Sequence, residues 1–95
     1  METFTWDDIM QQMKLLSPTR VNNYSDWILV GECLKNCEQI CPQCPLLRDV
    51  DRDLFFLLWD LWSQQSEKYD PSIMEEQWKS FQGTGSFATL RAMAK

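Results

Sequence analysis

The chain of 95 residues has no histidine, three glycines and four prolines. Without histidine it lacks the usual general base near neutral pH and the commonest metal ligand. No paired-carboxylate arrangement, G-x-S-x-G turn or P-loop is present either, so the sequence predicts no catalysis by the chain itself. Positive charge is scarce as well: nine Lys and Arg stand against 14 Asp and Glu, a net charge of −5. Autonomous nucleic-acid binders usually carry a basic surplus, because neutralising phosphates supplies most of their affinity. The balance argues against strong DNA binding by the isolated chain and leaves room only for a local basic patch. Long apolar runs are missing too. The longest, from Leu54 to Trp59, is far short of the ~20 residues needed to span a bilayer. The N-terminus, METFTWDDIM, lacks a charged-then-apolar leader. These absences predict an intracellular protein with no membrane partner, whose cysteines stay reduced.

What the chain does have is aromatic bulk: five Trp, five Phe and two Tyr. Side chains of this size bury roughly 150–250 Å² each, enough for a real core in a chain this short. The pattern is helical throughout, with no alternating strand signature and no internal repeat. Thr5 is a natural N-cap for a first helix carrying Trp6, Ile9, Met13 and Leu16 on one face, and Ser17-Pro18 ends it. A second helix is predicted from about Ser25 to Gln39, with Trp27, Val30, Gly31, Leu34 and Cys37 inward and Glu32, Asn36 and Gln39 facing away. Gly31, within the apolar arc, predicts close approach of a neighbouring helix or bulky ring.

A loop spans roughly Ile40 to Asp49. The third helix, about Val50 to Glu67, is apolar nearly all round: Leu54, Leu57, Leu58 and Leu61 on one side, Phe55, Phe56, Trp59 and Trp62 on the other. Such a helix is expected at the centre, covered by its neighbours. Pro71 opens a fourth helix, with Ser72 and Glu75 spaced as a capping box and Met74, Trp78 and Phe81 as its stripe. Phe87, Leu90 and Ala94 mark a short fifth helix after a Gly-Thr-Gly-Ser turn. The predicted fold is all-α, a compact bundle of about five short helices in a single domain over residues 1–95.

Four motifs occur in order along this framework. They are Arg20-Val21-Asn22-Asn23-Tyr24-x-x-Trp27-x-x-Val30-Gly31-x-x-Leu34, Trp62-Ser63-x-x-Ser66-x-Lys68-Tyr69, Trp78-x-x-Phe81, and Ala88-Thr89-Leu90-x-x-Met93-Ala94-Lys95. Together they resemble the primase C-terminal helical domain, found after an archaeo-eukaryotic-type primase domain in primase-helicases of large DNA viruses, phages and plasmids. The resemblance implies a non-catalytic accessory bundle, excised from a larger primase-helicase. In that setting it would lie between a primase domain and a helicase domain. There it would help engage single-stranded template DNA and the initiating nucleotide during primer synthesis. The cysteine- and proline-rich segment between the second and third helices, and the acidic charge, depart from the family pattern.

Candidate contacts for DNA and nucleotide are Arg20, Tyr24, Lys35, Ser63, Ser66, Lys68, Tyr69 and Lys79. Hydroxyl, ammonium and guanidinium donors suit phosphate oxygens, and tyrosine can stack on an unpaired base. Each has a plainer alternative. Trp59 and Trp62 read equally as core, with Ser63 and Ser66 bonding the preceding turn's carbonyls. Arg20 to Tyr24 read equally as a solvated turn ahead of a helix N-terminus. The basic residues are dispersed along the chain, so only folding could gather Arg20, Lys35, Lys68 and Lys79.

Cys33, Cys37, Cys41 and Cys44 form a separate puzzle. They contain the string CxxxCxxC, but radical iron–sulfur chemistry needs a far larger enclosure than this chain can build. A structural zinc on four thiolates is one reading; against it, zinc-binding pairs are usually a dozen or more residues apart. Buried or surface thiols are the other, with no cofactor required. The rival to a DNA-contacting role is a protein-interaction or spacer module linking primase and helicase domains, which the net charge favours.

Overall fold

The computed structural model describes residues 3–94. Lys95, the last residue of the fourth motif, lies outside them. Five α-helices succeed one another: α1 (Trp6–Leu15), α2 (Tyr24–Ile40), α3 (Asp53–Ser63), α4 (Pro71–Ser80) and α5 (Phe87–Met93). Among the described residues there is no strand, and no helix is long and apolar enough to cross a membrane.

Local chemistry sets most of the boundaries. The Thr5 side chain accepts from the Asp8 amide while the Asp8 carboxylate accepts from the Thr5 amide, a closed capping box at the start of α1. A 3₁₀ turn over Pro18–Asn22 follows, and Asn23 caps α2 through the Asp26 amide. At α3 the helix is shorter than its apolar pattern predicts. Asp51 accepts from the Asp53 amide and delays the start beyond Val50. Past Ser63 the chain tightens into successive three-residue turns, Gln64 to Leu61, Gln65 to Trp62 and Ser66 to Ser63, so the WSQQSEKY segment ends the helix rather than extending it. Asp70, not Ser72, caps α4, accepting from both the amide and the hydroxyl of Ser72.

The core forms around α2 and α3. Trp59 is fully buried and meets Trp27, Phe81 and Trp78, with ring centroids 4.8, 5.1 and 5.9 Å away. Gly31 makes this possible. A Cβ there would run into the Phe81 ring and lie 3.1 Å from Trp59 Cε2, so the close neighbour is chiefly a phenylalanine. Two indole hydrogen bonds stitch the helices together: Trp59 donates to the Trp27 carbonyl at 3.2 Å, and Trp27 donates to Ser63 Oγ at 2.8 Å. Phe4 stacks on Phe87 at 4.1 Å and brings the N-terminal segment onto α5.

One expectation fails at α3. Phe55, Leu58, Trp59 and Trp62 are buried, but Leu54, Leu57 and Leu61 are exposed by 38%, 52% and 62%. The helix is covered on one side only, because α2 and α4, with Trp6 of α1, pack against the aromatic face. A second correction concerns α2. Glu32, Asn36 and Gln39, expected to face away, hold the α4–α5 loop. Glu32 Oε1 accepts from the amides of Gln82, Gly83 and Thr84 at 2.9, 2.7 and 3.3 Å. Asn36 and Gln39 donate to the Gly83 and Gln82 carbonyls. Gly83 sits at φ 79, a left-handed conformation that lets the loop turn under the carboxylate.

Candidate functional site

A groove opens where the N-terminus of α2 meets the turn between α3 and α4. Its cavity volume is about 230 Å³. Val21, Trp27 and Met74 supply an apolar floor with the exposed Ile73 at its edge, and Asn22, Tyr24, Ser66, Lys68, Tyr69 and Asp70 line it with polar groups. Tyr24 and Ser63, from segments about 40 residues apart, therefore border one space. Five of the eight residues singled out from sequence meet here: Tyr24, Ser63, Ser66, Lys68 and Tyr69.

The five are not equivalent. Ser63 is buried, donates to the Trp59 carbonyl at 2.7 Å and accepts from the Trp27 indole. Ser66 donates to Asn22 Oδ1 at 2.7 Å and accepts from the Lys68 amide, tying the α3–α4 turn to the segment before α2. Both hydroxyl protons are thus given to protein acceptors: Ser63 bonds the preceding turn's carbonyl, as in its plainer reading, whereas Ser66 reaches a side chain of another segment instead. Tyr69 is committed too: its hydroxyl donates to Asp60 Oδ1 at 2.8 Å. That hydrogen bond to a carboxylate raises the phenol above its ordinary range, and partial desolvation adds to it.

Tyr24 and Lys68 are different. Tyr24 is 69% exposed, with its ring tilted beside Trp27 at 5.9 Å. Lys68 is exposed, and its ammonium joins no ion pair among the described residues. An aromatic face and an ammonium therefore border an apolar floor, an arrangement suited to a planar ring with an attached anion. Asp70 lies on the same rim. Its carboxyl is held below the usual range by hydrogen bonds from the Ser72 hydroxyl and amide, so it stays ionised and repels anions along that side.

The remaining three residues lie apart from the groove lining. Arg20 is paired with Asp26 at 3.3 Å, and the Asn23 side chain takes the Asp26 amide at the start of α2. Lys35 lies 5.0 Å over the Trp78 ring and 4.0 Å from Glu38. Lys79 pairs with Glu75 at 3.3 Å on the exposed face of α4. Of the four basic candidates, Lys68 alone lines the groove. Sequence reasoning missed the contribution of Ile73 and Met74 to the groove. They share neither motif nor spacing with α2, and only the α3–α4 turn brings them there.

The four cysteines are all buried, and among the described residues none forms a disulfide. Burial pushes the Cys33 thiol up to about 11 and also raises Cys41. Cys33 abuts Gly85, whose missing side chain makes the room. No group of three or more Cys, Asp or Glu among the described residues is placed to hold a metal ion. The thiols as arranged fill the interior of α2 and the loop after it.

Fold and groove define a small helix bundle with a recess between the start of α2 and the α3–α4 turn. The model of the Primase C terminal 2 (PriCT-2) family matches residues 9–94, and the chain belongs to that family. It is also 32% identical over 73 residues to the protein called "Putative helicase 121R" of Invertebrate iridescent virus 3. That match takes in 77% of this chain and only 7% of the length of the viral protein. No solved structure matches the chain.

Proposed function

We propose that this primase-family bundle is a non-catalytic accessory domain of a larger primase-helicase. In that protein it contacts single-stranded template DNA and the initiating nucleotide during primer synthesis, with the primase and helicase domains as its covalent neighbours. Membership of the family and the helicase name of the viral relative support the setting. The observation that carries the site is the groove itself, where exposed Tyr24 and unpaired Lys68 flank an apolar recess. An unpaired base stacks on Tyr24 above Val21 and Trp27, and Lys68 meets the adjoining phosphate. Serine and Tyr69 hydroxyls shape the walls without donating to the ligand. One available ammonium, opposed by Asp70, gives weak binding when the domain is alone, as a net charge of −5 also requires.

The test is titration of a fluorescent single-stranded oligonucleotide across a salt series. Tyr24→Ala should lose about 1–3 kcal/mol, the usual value of one base–aromatic stack. Lys68→Gln should flatten the salt dependence by about 0.7 of a logarithmic unit per logarithmic unit of salt, the share of one single-strand phosphate. Lys79→Ala should change neither. Binding that is undetectable or salt-insensitive, for the chain alone and for its parent protein, would sink the assignment.

A further inference from the structure

The leucine stripe of α3 is a second surface, separate from the groove. Leu54, Leu57 and Leu61 succeed one another at i, i+3 and i+7, so they form one line along the helix. All three are substantially exposed, whereas Ser63, which borders the groove, faces the opposite side of the same helix. Single exposed leucines are common, but three aligned on one helix are the spacing by which amphipathic helices dock.

Charge indicates what covers them. Asp53 and Asp60 are also seven residues apart, and at 100° per residue both fall along the Leu57 edge of the stripe. Arg52 lies on the other side of the helix and is engaged with Glu38 at 3.5 Å. The apolar line is thus bordered by two carboxylates, the exposed Asp53 and the half-buried Asp60, which also accepts from Tyr69 and Gln64. A second copy of the chain is a poor occupant. Antiparallel two-fold packing on Leu57 would bring both acidic edges to the same side, setting four carboxylates together between molecules of net charge −5 each. A helix with its own apolar stripe, edged by Lys or Arg, meets both the leucines and the carboxylates.

We infer that the Leu54–Leu57–Leu61 face is a docking site for a basic amphipathic helix of a partner protein. The inference is independent of the groove and of any nucleic-acid contact there. Lysines of the incoming helix set its orientation and encounter rate, and the leucines supply contact area, which is the usual division between charge and apolar surface at interfaces.

The experiment uses two short synthetic amphipathic helices with identical leucine stripes, one edged with lysine and the other with glutamate, titrated against the whole chain. The lysine-edged peptide should bind at least roughly tenfold tighter, a gap of about 1.4 kcal/mol that closes as salt is raised. Leu57→Ser together with Leu61→Ser should weaken it by roughly tenfold or more, with helicity unchanged because both side chains are already exposed. Should that pair disturb the fold, Asp53→Lys alone must still narrow the preference between the two peptides. Methyl resonances of Leu54, Leu57 and Leu61 should shift on binding while those of Ile73 and Met74 in the groove stay put. Equal affinity for both peptides, no binding of either, or binding indifferent to these variants would overturn the proposal. So would self-association of the chain that Leu57→Ser abolishes, since that would give the face to a second copy.

Discussion

At its N-terminal end α2 borders an open groove, whereas along its second half it is sealed. Around Cys33 and Cys37 every inward side chain is buried, and the polar face is occupied in holding a loop. One carboxylate, Glu32, engages three consecutive backbone amides there, and two amide side chains take the loop's carbonyls. Around Tyr24 the polar groups also bond to one another, but a large ring and an ammonium are left facing water. The same helix thus uses polar side chains for closure at one end and leaves them available at the other. Capacity to bind follows from which groups remain without a partner, not from how many polar groups are present.

The largest effect should come from breaking what both ends share. Trp59→Ala removes the fully buried ring between α2, α3 and α4 and should cost about 3–5 kcal/mol, measured by denaturant unfolding. Gly31→Ala, which forces a methyl into the Phe81 ring, should cost about 1–3 kcal/mol. At the sealed end, Glu32→Ala should cost about 1–2 kcal/mol and speed hydrogen exchange at the amides of residues 82–84, leaving those of α3 unchanged. At the open end, Tyr24→Ala should leave stability within about 0.5 kcal/mol of the parent, because the side chain is mostly exposed. A large loss there would show that the groove wall is structural.

The smallest effect is a pH dependence. Tyr69 holds its proton more tightly folded than unfolded, because it donates to Asp60. Its contribution to stability is therefore complete below the ordinary tyrosine value of about 10 and is lost as pH rises through the raised folded value. Unfolding midpoints followed into alkaline solution should fall more for the parent chain than for Tyr69→Phe.

Much of the fold was readable from residue spacing, since capping groups and apolar stripes act within one or two turns. Thr5 and Ser17-Pro18 fix α1 in this way, and Pro71 opens α4. The site was half readable. Tyr24 and Lys68 stood out by residue type. The pairing of Lys35 with Glu38 and of Lys79 with Glu75 stood at helical i,i+3 and i,i+4 spacing, whereas that of Arg20 with Asp26 depends on the turn before α2. Glu32 was unreadable for a different reason. Its partners are backbone amides about 50 residues away, and a backbone amide leaves no mark in a sequence. The leucines of α3 misled because an all-apolar helix looks the same whether it is covered on both sides or awaits a partner. For the four thiols, spacing left interior and surface open, and folding places all four in the interior.

The paired indole hydrogen bonds between Trp27 and α3 have a consequence for association. Trp27 receives one through its carbonyl and gives one through its ring, so it cannot slide along Trp59 and Ser63 or swing away without breaking both. It is also part of the groove floor. Whatever enters the recess meets an indole already held in place, so the ordering cost falls on the exposed side chains of Tyr24 and Lys68.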